Sequence, residues 1–194
     1  SRHVPRRLTG PCRANSRTNS AKMATCTPFA RPLYVMLKPT GARCNLACTY
    51  CYYTEKTFLY GDEAGQQLSD ELLEHFVSEY IGSQTMREIL FTWHGGEPLL
   101  RPLSFYRKAV DLQRKYARGR WIDNCIQTNG TLLNEEWCRF FNENGWLVGL
   151  SIDGPRIFPD AYRRAKKNST TYERLLRGIY YLYRYDVDRN SYVG

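Results

Sequence analysis

The sequence predicts an α/β fold built on a parallel sheet. From residue 33 to residue 187, four short apolar segments alternate with four amphipathic segments of helical periodicity, and the links between them are short. Such an order gives parallel strands with right-handed crossovers. Each apolar segment is followed by polar or cysteine-rich residues, which should gather at the carboxyl ends of the strands, where α/β folds bind their ligands.

The first two βα units have clear boundaries. A strand is predicted over residues 33–37 and leads into a loop that carries three cysteines. Ser69 is the expected N-cap of the first helix, because acidic residues follow it and apolar residues then recur at helical spacing. The second strand, residues 89–93, stops at two glycines and a proline. We expect the second helix to be capped near Ser104 and to end at Gly119.

The second pair of units follows the same order. The stretch RWIDNCIQTNGT predicts a strand that ends in an Asn-Gly turn. Asn134 is the expected cap of the third helix and Gly145 its end. The fourth strand, residues 147–152, precedes a Gly-Pro turn, and a final helix covers residues 170–187. Four βα units would leave the fourth strand as an exposed edge of the sheet.

The positive charge lies mostly in the N-terminal segment. The net charge is +9, and residues 1–22 contribute +6 without any acidic residue, which leaves +3 for the remainder. Such a segment can bind nucleic acid or an anionic surface, and its composition also resembles a transit peptide. Met23 would make a natural start of translation, in which case residues 1–22 would be upstream sequence. We therefore predict a basic, disordered extension over residues 1–31 and a folded core over residues 32–194, without a nucleic-acid partner.

Composition also bears on the compartment. No apolar run approaches the roughly 20 residues of a membrane span, and no apolar segment of a secretory signal follows the basic N-terminus. Seven cysteines are an odd number, which argues against a disulfide framework. We predict a reducing, cytoplasmic location without membrane contact.

Three of the cysteines point to a metal centre. Cys44, Cys48 and Cys51 fall within eight residues, with the spacing C-x3-C-x2-C. Thiolates bind zinc or iron–sulfur clusters. A structural zinc site needs four ligands, usually in two separated pairs, and the candidates for a fourth are His94, Cys125 and Cys138. Three thiolates on a four-iron cluster instead leave one iron open for chemistry. Core positions are the simpler interpretation of Cys125 and Cys138.

The cysteine motif, with Tyr50 before its last cysteine, resembles the radical S-adenosylmethionine (SAM) superfamily. The resemblance implies a partial (β/α) TIM-like barrel, a [4Fe–4S] cluster on the three cysteines and S-adenosylmethionine on the open iron. It also implies reductive cleavage of that cofactor to a 5′-deoxyadenosyl radical. Gly-Gly-Glu-Pro at residues 95–98 is by itself a weak turn signal, but after the cysteine motif it resembles the family's glycine-rich segment.

A narrower resemblance rests on four motifs in order: CTYCYY, WHGGEPLL, IQTNGTLL and LVGLSIDGP. Together they look like the anaerobic sulfatase-maturating enzymes, of the SPASM type, over residues 32 to about 164. Those enzymes oxidise a cysteine or serine of a sulfatase to Cα-formylglycine. The resemblance implies a sulfatase polypeptide as substrate and an external electron donor of the flavodoxin or ferredoxin type.

The resemblance assigns cofactor contacts to particular residues. Tyr50 would contact adenine, Glu97 would meet the methionine ammonium group, and the backbone of Gly95 and Gly96 would approach the ligand closely. Polar and charged contacts with the cofactor carboxylate, the ribose or the site wall are expected from Gln127, Asn129, Ser151 and Arg163. Each has a simpler interpretation: turn or cap chemistry for the three polar residues and a solvated charge for the arginine. Asp153 is expected as a turn acceptor, and His94 either faces the site or is structural.

The chain also departs from the family. Four βα units are fewer than the family's barrel contains, and no cysteine after Cys138 is present for auxiliary clusters. The catalytic base would lie beyond Gly194, so we expect this chain to be the N-terminal part of a maturase. Two alternatives stay open: a radical SAM maturase of another ribosomal peptide, such as a thioether-forming enzyme, and a non-catalytic fragment that binds an iron–sulfur cluster or zinc.

Overall fold

The computed structural model contains a five-stranded parallel sheet whose strands follow one another in sequence order. The structure describes residues 33–53, 67–163, 171–187 and 189–192, which belong to one unit, residues 31–194. The strands are β1 (Met36–Leu37), β2 (Glu88–Trp93), β3 (Trp121–Thr128), β4 (Leu147–Ser151) and β5 (Arg189–Tyr192). Every neighbouring pair is parallel. This sequential order is that of a (β/α) barrel and confirms the predicted fold class.

Helices connect the strands, as the periodicity predicts. They are α1 (Asp70–Ser83), α2 (Leu103–Tyr116), α3 (Glu135–Glu143), α4 (Ile157–Tyr162) and α5 (Tyr172–Arg184), with a short 3-10 helix at Pro98–Leu100. Two predicted caps are confirmed: Ser69 accepts from the Leu72 amide, and Asn134 accepts from the Trp137 amide. The cap predicted at Ser104 is wrong, because α2 begins one residue earlier and Pro102 takes the N-cap position without a side-chain bond.

The prediction of four strands with an exposed fourth edge is also wrong. β5 pairs with β4 from Val148 opposite Arg189 to Ser151 opposite Tyr192, so β4 is an interior strand. The sequence of β5, RNSY, is short and lacks an alternating apolar pattern, which explains why it was not predicted. The first strand is shorter than predicted, and α4 was missed because six residues that include a proline give little helical signal.

An aromatic core lies between the sheet and its helices. Trp93 at the end of β2 stacks on Trp146, with ring centroids 5.9 Å apart, and Tyr106 of α2 meets both rings edge-on. Both tryptophans are fully buried. Because Trp93 is the last residue of β2 and only His94 separates it from the Gly-Gly-Glu-Pro segment, the core anchors the carboxyl end of β2. The opposite face of the sheet is more open: Met36 and Leu90 are 52% and 37% exposed there.

Two predictions concern the ends and the environment of the chain. The predicted basic extension of residues 1–31 lies outside the described residues, so it stays a prediction. Within the described ranges, the protein has no helix with the length and apolar character that crossing a bilayer requires.

Candidate functional site

Two loops pack together at the carboxyl ends of the first two strands. The cysteine loop, residues 38–53, follows β1, and the second loop, residues 94–97, follows β2. The second loop donates three backbone hydrogen bonds: from His94 to the Leu37 carbonyl (2.8 Å), from Gly96 to Gly41 (2.9 Å) and from Glu97 to Arg43 (2.8 Å). These bonds extend the pairing of β1 and β2 beyond the strands. The cysteine loop is therefore held in position by the backbone of the second loop.

Both glycines of the second loop are required by this packing. A Cβ atom on Gly96 would overlap the carbonyl group of Arg43. Gly95 has φ of +116°, and a Cβ there would lie 2.8 Å from the Gly41 carbonyl oxygen. The close approach that these glycines allow in the structure is to the cysteine loop. Their predicted approach to a cofactor stays a prediction.

Glu97 is buried and joins the second loop to the end of β3. Its side chain is 0% exposed and accepts hydrogen bonds from the Leu99 amide (3.0 Å), the Thr128 hydroxyl (2.8 Å) and the Asn129 amide (2.9 Å). Burial raises the pKa of this carboxyl, and the three donors offset part of that effect. The carboxylate has protein partners on both oxygens, so its predicted contact with a cofactor ammonium group stays a prediction.

Asn129 connects the end of β3 to the first cysteine. Its Nδ2 donates to the Cys44 sulfur (3.7 Å) and to Asn45 Oδ1 (2.9 Å), while its Oδ1 accepts from the Thr131 amide and hydroxyl (3.0 and 2.7 Å). The Leu46 amide also donates to the Cys44 sulfur (3.4 Å). From the sequence, Asn129 was predicted to be a polar wall residue or a turn residue, and no role was predicted for Asn45. Their position in the Cys-Asn and Thr-Asn-Gly motifs was the only available signal.

The three cysteines are each partly exposed at this edge of the sheet. Burial raises the pKa of the Cys44 thiol to about 11, and burial also raises the pKa of Cys48. Among the described residues, no three His, Cys, Asp or Glu side chains are grouped to hold a single metal ion. A four-iron cluster needs a wider set, because each thiolate binds its own iron. The sulfur-directed donors at Cys44 suit a thiolate, and the residues present fit such a cluster.

A second network ties the cysteine loop to the end of β4. Arg163 donates through two nitrogens to Asp153 (2.5 and 2.6 Å), and the Tyr50 hydroxyl donates to the same carboxylate (2.5 Å). The Thr49 amide donates to the Tyr162 carbonyl of α4 (3.0 Å). The Arg163 guanidinium also lies 5.9 Å from the centre of the Tyr50 ring. Tyr50 is thus held from two sides while its side chain stays half-exposed.

These contacts change two expectations. Arg163 is only 9% exposed, so the interpretation as a solvated charge is wrong. Its present partner is Asp153, a residue expected only as a turn acceptor, and the bidentate pairing occupies the guanidinium edge that would meet a cofactor carboxylate. The predicted cofactor contact of Arg163 therefore stays a prediction that requires exchange of partners or use of the three remaining N–H donors.

Gln127 and Ser151 form a third group on the more open face of the sheet. Gln127 Nε2 donates to the Ser151 hydroxyl (3.0 Å), and both residues are partly buried. Gly149 of β4 pairs with Gln127 of β3, and its missing side chain leaves the space that the Gln127 side chain occupies. The two predicted polar contacts are therefore brought together by the pairing of β3 with β4.

The remaining candidates have local explanations. His94 is half-buried, its Nδ1 accepts from the Gly95 amide (2.7 Å), and burial lowers its pKa. Cys138 is fully buried, and burial raises its pKa to about 12, which confirms it as a core thiol. Cys125 is half-buried and donates to the Thr92 hydroxyl (3.3 Å).

Comparison with known proteins decides the family. Residues 39–194 match the family model described as the radical SAM superfamily. The chain belongs to this superfamily. The superfamily predicted from the cysteine motif is thereby confirmed.

Relatives within the superfamily are anaerobic sulfatase-maturating enzymes. The chain is 61% identical over 170 residues to a serine-type enzyme of Bacteroides thetaiotaomicron, covering 88% of this radical SAM chain and 41% of that protein. It is 36% identical over 160 residues to a cysteine-type enzyme of Clostridium perfringens, covering 82% and 43%. A solved structure described as native anSMEcpe with bound AdoMet and Cp18Cys peptide superposes with a TM-score of 0.74 at 35% identity, covering 83% of this chain and 42% of that one. The chain thus spans about two fifths of the length of these relatives.

Proposed function

We propose that this radical SAM chain carries the cofactor-binding part of an enzyme that oxidises a sulfatase residue to Cα-formylglycine. The observation that carries the proposal is the packing of the Cys44–Cys48–Cys51 loop on the Gly95–Gly96 backbone, in a chain 61% identical to a serine-type maturating enzyme. A sulfatase polypeptide is the proposed substrate, and a flavodoxin- or ferredoxin-type protein is the proposed electron donor.

The proposed site has two parts, a cluster-binding part and a cofactor-binding part. Cys44, Cys48 and Cys51 hold a [4Fe–4S] cluster. When bound, this cluster and S-adenosylmethionine supply a 5′-deoxyadenosyl radical that removes a hydrogen atom from the substrate side chain. The proposed cofactor contacts are Tyr50, Gly95, Gly96, Glu97, Gln127, Ser151 and Arg163.

The side chains of this chain position the parts of the site and do not themselves react. The Asp153 carboxylate holds the Tyr50 hydroxyl, which fixes the ring of the residue that stands between the second and third cysteines in the sequence. Gln127 and Ser151 present one amide and one hydroxyl at adjacent strand ends, which suits the hydroxyl or carboxylate groups of a nucleoside amino acid. Glu97 supports the site by joining the second loop, to which it belongs, to the end of β3.

Serine is the proposed target residue. Identity is 61% to the serine-type enzyme of Bacteroides thetaiotaomicron and 46% to that of Klebsiella aerogenes, against 36% for the cysteine-type enzyme of Clostridium perfringens. We place the reaction in the cytoplasm, since the odd number of cysteines and the oxidation-sensitive cluster both favour reducing conditions. Residues 32–194 form the proposed core, and deletion of residues 1–22 should leave cluster content unchanged.

The test has two steps: the cluster content of the protein is measured first, and the conversion of a sulfatase peptide is measured second. Anaerobically reconstituted protein should contain four-iron cluster by iron and sulfide analysis and electron paramagnetic resonance (EPR), and a variant with all three cysteines changed to alanine should not. Full cluster content in that variant would overturn the site. The full-length protein should then convert a serine-containing sulfatase peptide with the loss of two hydrogen atoms, measured by mass spectrometry. Conversion of the cysteine peptide alone would overturn the serine assignment.

A further inference from the structure

We infer that Asn129 sets the reduction potential of the cluster by donating a hydrogen bond from Nδ2 to the Cys44 thiolate. The inference rests on the proposed cluster at Cys44, and it assigns a positioning role to a residue that lies 85 positions away in the sequence. Within the described residues, Cys44 is the only one of the three cysteines whose sulfur accepts from a side-chain amide, that of Asn129.

The orientation of the Asn129 amide is fixed by its neighbours. The Thr131 hydroxyl accepts from Asn45 Nδ2 (2.9 Å), so its own hydrogen is free to donate to Asn129 Oδ1 (2.7 Å). The Thr131 amide donates to the same oxygen (3.0 Å). A flipped Asn129 would set its NH2 group against the Thr131 N–H and its oxygen against Asn45 Oδ1. Only the orientation with Nδ2 toward Asn45 and Cys44 satisfies every group.

Each hydrogen of that amide then has one acceptor. One points to Asn45 Oδ1 (2.9 Å) and the other to the Cys44 sulfur (3.7 Å). The backbone of Asn129 is fixed in turn by its bond to Glu97 Oε2 (2.9 Å), and the residue is only 9% exposed. The donor is therefore immobilised before any ligand binds.

A fixed donor at a ligand sulfur has a definite electrochemical effect. Reduction adds negative charge to a cluster and its thiolates, and hydrogen bonds to the sulfur stabilise that charge more strongly in the reduced state. Two donors, the Leu46 amide and Asn129 Nδ2, act on the Cys44 sulfur. Only the second belongs to a side chain, so only it can be removed by substitution without altering the cysteine loop backbone.

The experiment compares two variants of the same network. Asn129→Leu removes the donor to sulfur and keeps the branching of the side chain at Cγ. Thr131→Val removes the hydroxyl that braces Asn45 and Asn129 but leaves the sulfur donor and the Thr131 amide in place, so it serves as the matched control for loosening of the loop. Iron and sulfide content is measured first, and the midpoint potential of the reconstituted cluster is then determined by EPR-monitored redox titration.

We expect Asn129→Leu to keep its cluster and to shift the midpoint potential to more negative values, while Thr131→Val stays close to the parent. An unchanged potential in Asn129→Leu, or an equal shift in the control, would overturn the inference. If Asn129→Leu loses the cluster, Asn129→Ala is titrated in its place, since it removes the donor without added bulk and without a new charge near the sulfur. An unshifted potential in that variant overturns the inference as well. A parent protein without a cluster would instead defeat the proposed function, and the inference with it.

Discussion

Arg163 and Asp153 form a bidentate ion pair at the carboxyl end of β4, with nitrogen–oxygen distances of 2.5 and 2.6 Å. Their side chains are only 9% and 15% exposed. Tyr50 donates to the same carboxylate, so one acidic residue joins the loop after β4 to the cysteine loop. The cysteine loop is thereby fixed at both ends: by the second loop near Gly41 and by this ion pair near Tyr50.

Removing the arginine should destabilise the protein strongly. Arg163→Met leaves the Asp153 carboxylate with Tyr50 as its remaining partner, and breaking a buried pair typically costs about 3–5 kcal/mol of unfolding free energy. Because Asp153 keeps some exposure, we expect the lower end of that range in a denaturant titration. Lys108→Met is the matched control, since its ion pair with Asp70 is exposed and should be worth less than about 1 kcal/mol. An equal loss of unfolding free energy in both variants would show that the buried pair stabilises the protein no more than the exposed pair.

The same pair predicts the acid dependence of stability. Burial acts to raise the pKa of Asp153, but the Arg163 guanidinium and the Tyr50 hydroxyl outweigh it and hold the pKa below its ordinary value. A depressed pKa stabilises the folded state above the unfolded value of about 4, and this contribution is lost as the pH falls through the folded value. Asp153→Asn should therefore be less sensitive to acid than the parent below about pH 4. A parallel decline of the two proteins in acid unfolding curves would contradict this.

Glu97→Gln should be destabilising because all three partners of the carboxylate are donors. The new amide group would face one of them, and an unmade buried hydrogen bond costs about 1–3 kcal/mol. Burial raises the pKa of Glu97, so the parent loses stability as the pH rises from about 4.5 through the folded value. The deficit of the variant should be largest at low pH and shrink as the pH rises. Unfolding titrations at several pH values measure it, and a deficit that grows with pH would refute the raised pKa.

Gly96→Ala should disrupt the site, and another glycine provides the control. The added methyl group would overlap the Arg43 carbonyl, so the cysteine loop must move away from the second loop. We expect lower thermal stability and lower iron content after reconstitution. Gly82→Ala adds a methyl group within α1 that meets nothing within 4 Å, and it should be neutral or stabilising by up to about 1 kcal/mol. Normal iron content in Gly96→Ala would mean that the loops need not touch.

Local signals in the sequence predicted most of the framework. Ser69 and Asn134 were identifiable as caps because a cap bonds to residues two or three positions away. The end of β2 was identifiable because glycines stop a strand whatever surrounds it. β5 was missed for the opposite reason: its four polar residues become a strand by pairing with β4, which is not a local property.

The sequence named candidate residues for the site, but it did not predict which of them contact one another. Arg163 and Asp153 lie ten positions apart, and nothing in their spacing distinguishes an ion pair from two solvated charges. The family resemblance implied that Glu97 meets a cofactor, whereas its buried position also depends on the end of β3, 31 positions away. Partner choice is decided by tertiary packing, which a motif does not contain.

The tryptophans allow optical spectroscopy to monitor the aromatic core that anchors the end of β2. Trp93, Trp137 and Trp146 are buried around Tyr106, whereas Trp121 is 67% exposed at the start of β3. The rings of Trp93 and Trp146 lie 5.9 Å apart and 16° from parallel, close enough for their excited states to couple. Near-ultraviolet circular dichroism should carry the signature of that coupling, and it should vanish if the end of β2 loosens. The apoprotein thus reports by its own chromophores whether the support beneath the cysteine loop is assembled, before any iron is added.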